Sequence, residues 1–149
     1  MSVIRGKMVL GQKLWEGKGK SVGAGLIESV EMDGIVSEYS WMAQVKGIGC
    51  AEGLDGNINV TAISKTPPKG VGKAKDQGIF MMTNGEMSVL KGFDLLKMNA
   101  GANPSAVGLW TFMTASEKIG WMNDLIALVA FEALDPMWME VNITIYEWK

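Results

Sequence analysis

Glu132 is the side chain whose position in the sequence best suits it to acid–base chemistry, because it interrupts the apolar run from Leu125 to Leu134. A carboxyl group buried among apolar side chains has a raised pKa and can serve as a general acid or base. The alternative is a glutamate that points outward near the end of a strand, where water solvates it. Glu132 is therefore the catalytic candidate, and both interpretations stay open at this point.

The residue types that are absent restrict the chemistry further. The chain of 149 residues contains no histidine and one cysteine, Cys50. Serine–histidine and cysteine–histidine nucleophile systems are excluded, and most zinc, copper and iron sites lack their usual ligands. An internal disulfide is impossible. We expect no cofactor and no tightly bound transition metal.

A glycine-rich segment, Gly17 to Gly23, contains the Gly-Lys-Ser triplet of phosphate-binding loops. The glycine that such a loop requires five positions before Gly19 is Leu14, and no helix follows. The spacing therefore predicts a flexible turn.

Methionine and tryptophan are abundant, with 12 and 6 residues. Thioether side chains adapt to irregular shapes, and tryptophan combines a large apolar surface with one N–H donor. The methionines are interpreted as adaptable core residues, and the alternative is that they line a plastic apolar pocket for ligands of irregular shape. The residues predicted to bind a ligand are Tyr39, Trp41, Met81, Trp110 and Met139.

The charge balance argues against nucleic acid as a partner, because 14 basic residues face 16 acidic ones. Hydrophobic residues make up 48% of the chain, which excludes intrinsic disorder. The longest apolar stretch is far shorter than the roughly 20 residues of a membrane-spanning helix. The N-terminus does not have the pattern of a signal peptide. We therefore expect a cytoplasmic protein with no membrane partner.

Short segments of alternating polarity, separated by turn signals, predict strands. Asp33-Gly34, Asp55-Gly56 and Asn84-Gly85 are typical of hairpin turns, and residues 137–145 alternate most regularly. Ser64 to Gln77, with two prolines and four lysines, is interpreted as an exposed basic loop. A capping box at Thr114–Glu117 predicts one short helix near 115–123.

These elements predict an all-β, antiparallel barrel of about eight or nine strands that forms a single domain over 1–149. The long C-terminal strand can close on the first strand and so remove the free edges.

The layout resembles the small calycin-like and allene-oxide-cyclase-like barrels. The features that carry this resemblance are the first two hairpin turns, the run Gly108-Leu109-Trp110-Thr111-Phe112, the short helix through Trp121–Asp124, and two closing strands. The resemblance implies a homo-oligomer with an apolar lumen. It places no catalytic residue of the cyclases on a matching position.

The segment 125–134 is apolar on both of its faces, and tryptophan and tyrosine lie opposite the core row of 137–147. A monomeric barrel exposes one face of every strand to water. We therefore expect a homo-oligomer built on these two segments. Three functions remain open: a binding barrel for a small apolar ligand in a cavity lined by methionine and tryptophan, a cyclase or isomerase that uses a buried carboxylate, and a structural assembly protein with a filled barrel.

Overall fold

Eight antiparallel strands close into a barrel in the computed structural model, which describes residues 10–30, 34–98 and 102–149. The strands follow the chain order around the barrel. They are β1 (Leu10–Val30), β2 (Gly34–Gly47), β3 (Gly56–Thr66), β4 (Val71–Met82), β5 (Met87–Lys97), β6 (Ser105–Met113), β7 (Ile126–Ala133) and β8 (Glu140–Trp148).

The predicted fold class is confirmed. The last strand pairs with the first, with Trp15 opposite Ile145 and Gly19 opposite Val141. This closure leaves no free sheet edge among the eight strands. Alternate side chains point into the barrel, as in β3, where Ile58 and Val60 are buried and Asn57 and Asn59 are exposed.

The glycine-rich segment Gly17 to Gly23 is not a flexible turn, so that prediction was wrong. It lies inside β1, which runs without interruption through 21 residues. A Cβ atom on Gly17 would collide with the carbonyl oxygen of Gln44 on the neighbouring strand. Gly17 therefore allows the two strands to approach each other closely. Residues 3–9 and the predicted turn residues Met32 and Asp33 lie outside the described residues, whereas Gly34 adopts a positive φ of 114°.

The segment Ser64 to Gln77 is likewise not a long exposed loop. Strand β3 continues to Thr66, β4 begins at Val71, and only residues 67–70 join them. The side chains of Lys65, Lys73 and Lys75 point outward, and the alternate positions of β4 point inward. The lysines therefore mark the solvent face of two strands.

The hairpin predicted at Asn84-Gly85 is present between β4 and β5. Gly85 has φ 90° and its N–H donates to the carbonyl of Met82 at 3.0 Å. Asn84 does not adopt a positive φ, so this is not the expected two-residue type I′ turn. The connection is a three-residue turn that ends on a left-handed glycine.

The predicted short helix is a single 3-10 turn, Gly120–Asp124, and a second one covers Gly49–Ala51. Thr114 Oγ1 accepts the N–H of Ser116 at 3.1 Å, and not that of Glu117, which a capping box would use. The Asn123 side chain then bonds both backbone groups of Thr114, at 2.8 and 3.1 Å. These bonds fold the segment back on itself before an α-helix can develop. Within the described ranges no helix is long and apolar enough to cross a membrane.

One half of the barrel is filled by aromatic side chains. Trp15 is fully buried, stacks on Trp121 with ring centroids 6.0 Å apart, and meets Phe80 edge-on at 5.4 Å. Its indole N–H donates to the carbonyl of Leu54 at 3.1 Å. This packing closes the barrel at the end where β1 meets the Gly49–Ala51 turn.

Candidate functional site

The other half of the barrel holds a cavity of about 280 Å³. Its lining combines an apolar, mainly aromatic wall with a polar wall that carries hydroxyl groups and a carboxyl group. The apolar wall consists of Trp41, Leu96, Phe131, Trp138 and Val141. The polar wall consists of Ser37, Tyr39, Ser64, Thr66 and Asp94.

The cavity exists because small residues occupy neighbouring inward positions of the central strands. Ala62 on β3 lies opposite Asp76 on β4, and Ala74 on β4 lies opposite Asp94 on β5. Asp94 in turn lies opposite Gly108 on β6. A Cβ atom on Gly108 would collide with Asp94 Oδ1. The sequence therefore leaves room for a carboxyl group where a barrel usually packs aliphatic side chains.

Asp76 and Asp94 form a buried carboxyl pair, with 5% and 4% of their surfaces exposed. The Trp110 indole N–H donates to Asp76 Oδ2 at 3.0 Å. Within the described part of the chain, Oδ1 of each aspartate has no hydrogen-bond partner. Buried oxygens without a partner are costly, and Asp94, which carries one of them, lines the cavity, so the site points to a ligand.

The pKa of Asp94 is raised from its ordinary value of 3.8 to about 10, first by burial and then by the hydrogen bond and the negative charge of Asp76. The Trp110 N–H opposes this rise in pKa. Asp94 is therefore a protonated acid at neutral pH. Burial, followed by the charges of Asp76 and Asp94, also raises the pKa of the Tyr39 hydroxyl above its ordinary value, so Tyr39 stays neutral. The polar wall presents hydrogen-bonding groups that retain their protons.

Aromatic contacts fix the apolar wall. Trp41 stacks on Trp110 at 5.9 Å and meets Phe131 edge-on at 5.5 Å. Trp110 thus joins the two walls, since its ring supports Trp41 while its N–H holds Asp76. Such contacts leave the cavity largely preformed.

The loop before β8 forms part of the cavity mouth. Asp135 accepts three backbone N–H groups, from Met137 at 2.8 Å, Met139 at 3.1 Å and Glu140 at 2.9 Å. These bonds, that of Glu140 first, lower the pKa of the exposed Asp135 carboxyl. They also hold Trp138 at φ 58°, a left-handed conformation that bulky residues rarely adopt. The strained loop places Met137 and Trp138 against the cavity.

The structure brings together some of the residues predicted to bind a ligand. Tyr39 and Trp41 line the cavity. Trp110 is fully buried behind the cavity wall. Met81 points outward on β4 and is 56% exposed. Met139 precedes β8, is 57% exposed and does not line the cavity, because the last strand begins at Glu140 and not at 137.

Glu132 is not a buried acid, so the catalytic prediction for it was wrong. The inward positions of β7 are Ala127, Val129, Phe131 and Ala133, which places Glu132 on the outer face, exposed. Side chains alternate between the two faces of a strand. The aliphatic and aromatic residues of β7 occupy the inner face, so Glu132, which lies between two of them in the sequence, points outward.

The carboxyl pair was missed by the sequence analysis, although a signal for it exists. The inward row of β5 reads Leu90, Gly92, Asp94, Leu96, with one acid among apolar and small residues. Asp76 was hidden by the interpretation of its segment as a loop. Among the described residues, no group of three or more histidine, cysteine, aspartate or glutamate side chains is arranged to hold a metal ion.

Comparison with known proteins places the chain among small barrels. No protein-family model and no curated protein matches it in sequence. It is similar in structure to a protein of unknown function from Clostridium acetobutylicum, with a TM-score of 0.80 and 14% identity over 97% of this chain and 99% of that one.

Two further solved structures share the fold. A β-barrel-like protein from Acinetobacter baumannii has a TM-score of 0.79 at 15% identity, over 99% of this chain and 100% of that one. An enzyme from Penicillium herquei has a TM-score of 0.69 at 15% identity, with the same coverage of both chains. The resemblance in layout to small barrels of uncharacterised function is therefore confirmed, and at these identities it shows the fold alone.

Proposed function

We propose that the protein binds one small, mainly apolar molecule in the open half of the barrel. The observation that carries this proposal is the pairing of an aromatic wall, Trp41, Phe131 and Trp138, with a wall of hydroxyl and carboxyl groups. Ligand sites typically combine apolar walls with a few convergent polar groups, in pockets of about 300–1,000 Å³. A cavity of about 280 Å³ lies just below the lower end of that range, so it suits a small molecule. The open cavity favours this function over a structural role with a filled barrel.

Filling the cavity tests this proposal. Val141 lies at the cavity wall and is buried, so Val141→Phe places a ring inside the space that a ligand needs. Val71→Phe is the matched control, because Val71 is exposed on β4 and outside the cavity. Calorimetry with 2-methylnaphthalene is expected to show binding to the wild type and to the control, and loss of binding in Val141→Phe.

The same preparations identify the natural ligand. Native mass spectrometry of the purified protein gives the mass of any co-purifying molecule together with the subunit count. Binding of methylnaphthalene that Val141→Phe leaves unchanged would contradict the proposed cavity.

A second candidate function, an enzyme of the isomerase or cyclase type, is favoured by Asp94. This acid lines the cavity, and burial keeps its proton at neutral pH. Asp94 can give its proton to a carbonyl oxygen of the ligand while water at the open mouth removes a proton from the adjacent carbon. The resulting enol returns the hydroxyl proton to Asp94 and takes a proton from water at carbon. The barrel from Penicillium herquei is an enzyme, so the fold is compatible with catalysis.

Proton exchange tests the enzymatic function without knowledge of the substrate. In deuterated water, the enolisable ketone 2-tetralone should exchange its hydrogens next to the carbonyl faster with the wild-type protein than in buffer alone. Asp94→Asn should return the rate to that of buffer, because an amide has no acidic proton to give. Exchange at the buffer rate with bound tetralone would argue against this chemistry and leave the binding function intact.

Self-association and cytoplasmic location are also proposals for this protein. Outward side chains of β5 to β8 form an apolar patch of Phe93, Leu95, Val107, Leu109, Leu128 and Tyr146. Such a patch on one side of a barrel supports an interface with a second copy. The exposed, unpaired Cys50 fits a reducing compartment.

A further inference from the structure

Within the described part of the chain, neither carboxyl group of the pair forms an ion pair. Among the described residues the structure records one ion pair, between Lys13 and Glu16 at 3.2 Å, and it is exposed. The strands on either side of the pair place Ala62 and Gly108 opposite Asp76 and Asp94. The neighbouring titratable groups are Tyr39, which is uncharged, and Lys20, which is exposed at the cavity mouth. Nothing within the wall therefore neutralises a second negative charge.

Two carboxylates at hydrogen-bonding distance in a buried site do not both ionise, because each charge opposes the other and burial opposes both. The hydrogen bond and the negative charge of Asp76 both raise the pKa of Asp94, so one proton stays with the pair. The Trp110 N–H donates one hydrogen bond to Asp76, and an indole has no second N–H to donate. The pair consequently keeps a proton and carries at most one negative charge.

We propose that the cavity selects uncharged ligands that carry a hydroxyl group, and excludes carboxylates of the same shape, because Asp76 and Asp94 hold one proton between them beside it. This inference rests on the proposed binding function and names its ligand class. A hydroxyl group both donates and accepts, so it can satisfy an Asp94 oxygen whether or not that oxygen bears the proton. A carboxylate would add a charge next to the pair in an apolar, poorly hydrated cavity.

Three probes with one naphthalene body separate these effects by calorimetry at about pH 7. 2-Naphthol is uncharged with a hydroxyl group, 2-methylnaphthalene has the shape alone, and 2-naphthoate is an anion. We expect naphthol to bind tightest and naphthoate weakest, with naphthoate weaker than naphthol by at least about tenfold, since a poorly paired buried charge costs more than 1.4 kcal/mol. This order is measured on the wild-type protein and needs no variant to fold.

The double variant Asp76→Asn, Asp94→Asn tests the cause. Amides have nearly the same shape, carry no charge and can donate an N–H to the anion, so the gap between naphthol and naphthoate should shrink to about threefold or less. Lys73→Met is the charge control: Lys73 is exposed on the outer face of β4 and outside the cavity, so this variant should leave the binding of both naphthol and naphthoate unchanged.

The possible outcomes are distinct. No binding by methylnaphthalene and naphthol would overturn the proposed function itself. Binding of naphthoate as tight as that of naphthol in the wild type would overturn this inference and leave the function standing. A gap that persists in the folded double variant would show that shape, and not the carboxyl pair, excludes the anion.

Discussion

Gly108 determines whether Asp94 can occupy the cavity wall. A Cβ atom at this position would collide with Asp94 Oδ1 and would approach the carbonyl oxygen of Phe93 to 2.7 Å. Gly108→Ala is therefore expected to lower the free energy of unfolding by about 1–3 kcal/mol, the usual cost of overpacking, and to weaken ligand binding. Urea unfolding and calorimetry measure the two effects.

Gly23→Ala is the matched control for this substitution. Gly23 is also a strand glycine, but nothing lies within 4 Å of a Cβ atom built there, and its φ is not positive. It should keep wild-type stability and binding. Equal effects of the two substitutions would mean that any alanine in place of a strand glycine is destabilising. The space that Gly108 leaves for Asp94 would then not be the cause.

The protonated state of Asp94 predicts a particular dependence of stability on pH. The folded protein keeps this proton up to about pH 10, whereas the unfolded chain releases it near 3.8. Unfolding therefore releases a proton in this window, and the free energy of unfolding contributed by Asp94 falls as the pH rises. Asp94→Asn should remove this fall in the free energy of unfolding, because an amide releases no proton when the protein unfolds.

Urea midpoints at pH 5 and pH 9 measure the effect. The stability of Asp94→Asn relative to the wild type should rise between the two pH values, because only the wild type holds a group that ionises on unfolding. Parallel changes in the two proteins would contradict a buried, protonated Asp94.

At the scale of the elements, alternation predicted most strands, and the errors have physical causes. Strand β4 was hidden by Pro67-Pro68 and by lysines that are now seen on its outer face. In a barrel that face meets water, so Lys73 and Lys75 are compatible with a strand whose alternate positions are buried.

The site was harder to predict, because the register across strands decides which acid points inward. Tyr39 and Trp41 lie two residues apart on one strand, so alternation predicts that both point to the same face. Trp138 lines the cavity because its own backbone is left-handed, and no periodicity in the sequence predicts that conformation.

The loop before β8 provides a test at this scale. Asp135 bonds three backbone N–H groups of the loop. Asp135→Ala should therefore increase amide hydrogen exchange at Met137, Met139 and Glu140 and weaken methylnaphthalene binding, since Trp138 loses its fixed place at the mouth.

The three N–H groups bond the charged form of Asp135, and for that reason the pKa of its carboxyl group is lowered in the folded protein. The loop should therefore loosen in the wild type as the pH falls through that value, and no such transition is expected in Asp135→Ala.

Asp124→Ala is the control for Asp135→Ala, because Asp124 is the exposed last residue of the 3-10 turn and does not line the cavity. Exchange that stays slow at the three amides in Asp135→Ala would show that the strand, and not the carboxylate, orders the loop.

For the whole molecule, the apolar patch on the outer face supports pairing with a second copy. Phe93, Leu109, Leu128 and Tyr146 lie side by side across β5 to β8. A further row on β5, β6 and β7 reads Lys97, Ser105, Glu132. A two-fold axis along β6 would bring Lys97 of one copy onto Glu132 of the other, twice per dimer. The exposed Glu132 thus gains a role as an interface residue in this arrangement.

Substitution of Leu128 by lysine tests the assembly. An interface of standard size buries about 800 Å² per partner, and a lysine at its centre would be buried without a counter-charge. Leu128→Lys is expected to sediment as a single species of 16.1 kDa at micromolar concentration, whereas the wild type sediments as a larger one. Ile35→Lys is the control, because Ile35 is exposed on β2, away from the patch, and should leave the assembly intact.

Charge exchange then distinguishes this geometry from any other apolar contact. Glu132→Lys should weaken the assembly by placing two lysines together, and Lys97→Glu combined with Glu132→Lys should restore it, because the pairs are re-formed with their signs reversed. A wild type that sediments at 16.1 kDa would remove the interface altogether. An oligomer that Leu128→Lys dissociates, but that the exchanged pair does not restore, would keep the patch and reject the axis along β6.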